Sequence, residues 1–120
     1  MKDVAIVGVD LSKSVFHLHG ADSEGHVLFR RQVTRAGFRK FLESAPACTV
    51  AMEACASANY WGREANKLGH EARLIAPIYV KPFVKRQKND ANDAFAITEA
   101  ASRPTMRFVA VKSEVQQSRI

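Results

Sequence analysis

The sequence predicts an α/β domain built on a mixed sheet, in the order β-β-β-α-β-α-β-α, with helices on both faces. Three observations point there. Val4-Ala5-Ile6-Val7-Gly8-Val9 is an almost unbroken apolar run rich in β-branched residues, as a strand buried on both faces requires. Two alternating segments follow, separated by the turn residues Ala21-Asp22-Ser23-Glu24-Gly25. Helical and strand patterns then alternate to the end of the chain. Antiparallel strands followed by such alternation make a mixed sheet with helices packed on it.

The first strand ends in Asp10. Residues 14–20 alternate, with Phe16 and Leu18 opposite Val15, His17 and His19. That parity points both histidines outward, as surface residues rather than a metal pair. Residues 26–33 alternate again and complete a three-stranded antiparallel meander. Thr34 is placed to cap a helix whose apolar face is Phe38, Phe41 and Leu42, and Pro46 lies beyond its end. Residues 48–52 form a second short apolar strand ending in Glu53. A helix over residues 59–68 stops at Gly69, and residues 70–75 form a strand that ends before Pro77.

Residues 81–88 are basic and partly apolar, a loop or short helix over the sheet. Asn89 or Asp90 starts a last helix, with Ala91, Ala94, Phe95, Thr98 and Ala101 along one side and Pro104 after its end. Residues 106–111 read as extended. Ser113 and Gln116 have capping-box spacing, which announces a helix that Ile120 cuts short. The expectation is one domain over residues 1–112, with 113–120 opening a helix that leads to a further C-terminal domain.

A chain of 120 residues suits one compact core. No apolar run approaches the roughly 20 residues of a membrane-spanning helix, and no signal-peptide core precedes the first strand. Cytoplasmic residence is expected, with no membrane contact. Eighteen Lys and Arg against 12 Asp and Glu give a net charge of +6, which favours a polyanionic partner. The basic residues cluster as Arg30, Arg31, Arg35, Arg39 and Lys40, and as Lys81, Lys85, Arg86 and Lys88. Cys48 and Cys55 lack the C-x-x-C spacing of a zinc pair and read as two free thiols.

Four acids fall where this topology would converge them. Asp10 and Glu53 end buried strands, and open mixed sheets bind ligands at strand C-terminal ends. Asp90 and Asp93 are three apart at a helix start and share a face. Each alone has an ordinary role, as a strand end or as a cap complementing the helix dipole. Together they make a site of hard oxygen donors for Mg²⁺ or Mn²⁺, the ions that stabilise attacking and leaving oxygens in phosphodiester cleavage.

These segments also carry a resemblance. Val7-Gly8-Val9-Asp10-Leu11-Ser12-Lys13, Met52-Glu53-Ala54-Cys55, Leu74-Ile75-Ala76-Pro77 and Lys88-Asn89-Asp90-Ala91-Asn92-Asp93-Ala94 resemble the N-terminal half of DEDD insertion-sequence transposases, relatives of the Piv pilin-gene invertase. The resemblance implies a ribonuclease H-like fold close to the RuvC Holliday-junction resolvase. It puts the DEDD motif on Asp10, Glu53, Asp90 and Asp93 as catalytic and metal-holding residues. Asn89 stands where many members have Thr, and either can cap a helix. DNA is the implied partner, with Lys13, Lys81, Lys85, Arg86 and Lys88 on its phosphates. A serine nucleophile, homo-oligomerisation and, in some members, a guide RNA belong to the C-terminal half. Tyr79, Phe83 and Trp61 are more readily core or rim residues than base-stacking platforms.

Two other readings share the opening strand. An ATP-binding module of the actin and sugar-kinase class needs a second Gly-rich phosphate loop, but the six glycines here are scattered and none are adjacent. A non-catalytic nucleic-acid-binding or dimerisation domain of the same fold would not need all four acids.

Overall fold

The computed structural model describes residues 3–12, 14–84 and 90–118, the side chains at 90–92 apart. Three strands come first: β1 (Ile6–Leu11), β2 (Val15–Ala21) and β3 (Val27–Thr34). They are followed by α1 (Arg35–Ser44), β4 (Thr49–Glu53), α2 (Ala56–Lys67) and β5 (Glu71–Ile75). A short helix α3 (Pro77–Val80) runs into a 3₁₀ turn (Lys81–Phe83), and α4 (Asp90–Ala101) and α5 (Glu114–Ser118) complete the chain. The sheet order is β3-β2-β1-β4-β5. β1 is the middle strand, antiparallel to β2 and parallel to β4.

Strand parity sorts the side chains between the two faces. Val7, Val9, Phe16, Leu18, Val50 and Met52 point to one face, where Phe38, Phe41 and Leu42 of α1 and Ala58, Trp61 and Ala65 of α2 close over them. Phe16, Phe38 and Trp61 form an aromatic trio with centroids 4.8–5.8 Å apart. Arg39 bonds to Glu64 and ties the two helices together across the surface.

Ile6, Ala51 and Ile75 point the other way and meet Ala96, Ile97, Ala100 and Ala101 of α4, with Val80 of α3. This helix lies very close to β1. A Cβ added at Gly8 would stand 2.1 Å from the Thr98 hydroxyl and 2.6 Å from the Ala94 carbonyl oxygen. Only a residue without a side chain admits that approach. The Thr98 hydroxyl, within hydrogen-bonding range of the Ala94 carbonyl at 2.8 Å and the His19 carbonyl at 3.3 Å, ties α4 to β2.

Several local expectations hold in detail. Thr34 caps α1 by accepting from the Gly37 amide at 3.0 Å. Gly69 takes φ +93° just beyond α2, the left-handed conformation that favours glycine there. The Ser113–Gln116 box is reciprocal, each side chain accepting from the other residue's amide. Cys48 is buried, which pushes its thiol up to about 11, and Cys55 is exposed.

Other expectations change. α2 starts at Ala56 rather than 59, because Cys55 ends the loop without a side-chain cap to announce it. Pro77 opens a helical turn, with proline in the first turn where its missing amide costs nothing. Residues 106–111 contribute a single bridge, Val109 to Leu74. His19, expected at the surface, is only 2% exposed, because α4 covers it with Phe95 edge-on at 5.5 Å. Trp61 is a core residue and Tyr79 is exposed. Among the described residues no helix is long and apolar enough to cross a membrane.

Candidate active site

Sheet parity and register bring the acids together. Val9 pairs with Met52 in the parallel β1–β4 ladder, so the next residues, Asp10 and Glu53, end side by side. Val9 and Met52 face α1 and α2, so Asp10 and Glu53 fall on the α4 face. A slip of one residue in either strand would send its acid to the opposite side. The close approach at Gly8 sets the third acid. Asp93 precedes Ala94, whose carbonyl lies over Gly8, and sits one turn before Ile97.

Asp10, Glu53 and Asp93 line one cavity of about 270 Å³ with Lys81, over an apolar floor that includes Val80, Val84 and Ile97. Ser12 donates to Asp10 Oδ2 at 2.9 Å and orients that carboxylate from within the same turn. Burial, then the nearby charges of Asp10 and Asp93, holds the Glu53 carboxyl above the ordinary glutamate range. Glu53 is nonetheless partly open to solvent, so the site is accessible from outside. Like charges drawn together at one opening favour a cation or a proton. The three carboxylates are hard oxygen donors of the kind that suit a divalent ion.

Of the site residues read from the sequence, Asp10, Glu53, Asp93 and Lys81 share this cavity. Asp90 is the first residue of α4, and its side chain, like Lys13, Lys85, Arg86 and Lys88, lies outside the described residues. Among the described residues no three His, Cys, Asp or Glu side chains make a closed metal-ligand group. Three features of the site were not singled out in the sequence. They are the Ser12 contact, the Gly8–Thr98 approach, and the pairing of His17, read from the sequence as a surface residue, with Asp10 in the β1–β2 register. The Ser12 contact is local, two residues from Asp10, whereas the other two depend on strand register and tertiary packing. A larger hollow of about 630 Å³ at the other end of the sheet includes Glu71, Arg73, Glu99 and Arg103. Its arginines are engaged, Arg73 with Glu71 and Phe108 and Arg103 over Phe83.

A mixed five-stranded sheet of this order, with acids converging at the end of its middle strand, defines a ribonuclease H-like domain. T. thermophilus RuvC, solved in complex with a Holliday junction substrate, superposes with a TM-score of 0.62 at 16% identity. The match covers 87% of this chain and 98% of that one, and it shows the fold. Residues 7–118 match the family model of the IS110-type DEDD transposases, described as a transposase, and the chain belongs to that family. The "Probable family 20 transposase" of Pseudomonas aeruginosa is 59% identical over 112 residues, 93% of this chain and 33% of that protein. The transposase for insertion sequence element IS1328 of Yersinia enterocolitica is 46% identical over 118 residues, 98% of this chain and 35% of that protein. The chain thus spans about a third of the length of the curated relatives it matches.

Proposed function

We propose that this chain is the acidic-cluster domain of a DNA transposase that cleaves and rejoins DNA strands to move or invert an insertion sequence. The observation that carries the reading is the meeting of Asp10, Glu53 and Asp93, from three separate elements, at one cavity where Glu53 is held above its ordinary range. Asp90, at the start of α4, would complete the set. These four carboxylates would hold Mg²⁺ or Mn²⁺, which when bound supplies Lewis-acid polarisation of the scissile phosphate.

The chain's own residues do the rest. Ser12 fixes the rotamer of Asp10, and Gly8 lets α4 bring Asp93 up to the strand ends. Lys81, on the cavity wall, offers a cation to a backbone phosphate there. Lys13, Lys85, Arg86 and Lys88 would extend that contact along the strand. Residues 1–112 form the catalytic domain in this reading, and 113–120 lead toward the part the longer relatives possess. That part would supply the serine nucleophile, self-association and any guide RNA. A DNA substrate would place the protein in the cytoplasm.

The test is recombination by a protein of the relatives' full length carrying Asp10→Asn or Asp93→Asn. Loss of strand cleavage with DNA binding retained is the expected result. Unchanged recombination would remove the catalytic claim and leave the fold as a binding or dimerisation domain.

A further inference from the structure

The row of side chains that carries the acids does not stop at the middle strand. On the α4 face the register runs from Glu53 through Asp10 to His17 on β2, and His17 pairs with Gln32 on β3. One step back, Gly8 is followed by His19 and then by Arg30. His19 is under Phe95, so Arg30 and Gln32 share the face that α4 occupies. Both are exposed, on the edge strand where the sheet continues past α4. A hollow of about 200 Å³ lies between the two strands here, lined by His17, Leu18, His19, Arg30, Arg31 and Gln32, with the Arg31 guanidinium turned to the other face over Phe29.

Several other arginines among the described residues are occupied. Arg39 is bonded to Glu64, Arg73 to Glu71, and Arg63 to Gln117 and the Lys112 carbonyl. Arg31, next to Arg30 in sequence but on the opposite face, lies 4.8 Å over Phe29 and 5.9 Å from Phe41. Arg30 has no carboxylate within ion-pair distance among the described residues. With strands about 4.8 Å apart and residues about 3.4 Å apart along them, its backbone stands roughly 12 Å from that of Asp10. An arginine side chain spans a good part of that gap and offers a planar fork of donors suited to a phosphate.

We infer that Arg30 and Gln32 on β3 form a second phosphate-contacting strip for duplex DNA, which holds the backbone beside the nucleotide at the acidic cluster. The inference rests on the nuclease-like reading of that cluster. The occupant follows from charge: the chain carries +6, and the strip is aligned in register with the carboxylates. The strip positions the substrate and touches no reacting bond.

The neighbouring arginine supplies the control, since Arg30→Gln and Arg31→Gln remove the same charge one residue apart on opposite faces. Binding of this chain to a fluorescein-labelled 30-base-pair DNA duplex would be followed by anisotropy across a salt series. Arg30→Gln should weaken binding several-fold and lower the slope of log K against log salt by about one unit, while Arg31→Gln leaves the slope unchanged. Gln32→Lys should tighten binding and steepen the slope. Equal effects of the two arginine substitutions, no salt-dependent binding by the unaltered chain, or tighter binding of a duplex RNA of the same sequence would each overturn the strip. Mn²⁺ binding by the same variants separates the two readings. Intact metal binding with an inert strip removes the strip alone, whereas absence of metal binding in the unaltered chain removes the reading of the acids.

Discussion

On one face of the sheet, α1 and α2 bring Phe38 and Trp61 down onto Phe16, all three nearly inaccessible and in mutual ring contact. On the other, α4 brings a row of its own alanines down onto Gly8, Ile6, Ala51 and Ile75, and the packing gives way to carboxylates at one end and to Arg30 and Gln32 at the edge. The first face secures the fold through buried aromatic area. The second sacrifices side-chain volume for a close backbone approach, because acids from a helix and from two strands can meet only if the helix comes down onto the sheet. In the proposed reading, stability and function fall on opposite sides of the same five strands.

Substitutions on the two faces should therefore separate these properties. Trp61→Ala empties the centre of the aromatic face and should cost about 3–5 kcal/mol, read as a fall in unfolding midpoint. The protein that remains folded should bind Mn²⁺ as before. A loss of metal affinity as large as the loss of stability would show that the faces are not independent. Gly8→Ala inserts a methyl group where Thr98 and Ala94 already stand, and should cost about 1–3 kcal/mol. Here metal binding should suffer too, since relief of the clash moves α4, and Asp93 with it. Ser12→Ala removes only the hydroxyl that orients Asp10. It should leave the unfolding midpoint unchanged and weaken Mn²⁺ about tenfold by calorimetry.

The smallest effect is one of pH. Glu53 holds its proton more tightly when folded than when unfolded, so the folded state binds more protons above the ordinary glutamate range. Its contribution to metal-free stability therefore falls as pH rises through that window. Glu53→Gln removes this component. Its unfolding midpoint relative to the unaltered chain should be higher at pH 7 than at pH 4, and a difference that does not vary with pH would contradict the raised carboxyl, which burial first and the neighbouring acids second account for.

Much of this division was legible before any coordinates. Asp10 and Glu53 follow apolar strands whose parity fixes a common face once the strands are parallel neighbours. Local signals such as Thr34, Gly69 and the Ser113–Gln116 box act through hydrogen bonds or dihedral preferences within a few residues, and a sequence displays those directly. His19 was misplaced because the element that buries it, α4, lies some 70 residues further on and approaches only by virtue of Gly8. The early start of α2 was invisible because no side chain caps it. Strand parity already splits Arg30 from Arg31, but the register of three strands was needed to show that Arg30 is the one on the face of the acids.

The central claim is that the acids form one metal-binding centre, and titration of Mn²⁺ into this chain and into Asp10→Asn tests it most directly. A metal that binds only the folded state raises stability by RT ln(1 + [L]/Kd). Saturable stabilisation with measurable heat of binding, abolished by Asp10→Asn, is the predicted result. Identical behaviour of the two proteins would contradict the account, since the cavity shared by Asp10, Glu53 and Asp93 would then not be where the metal binds.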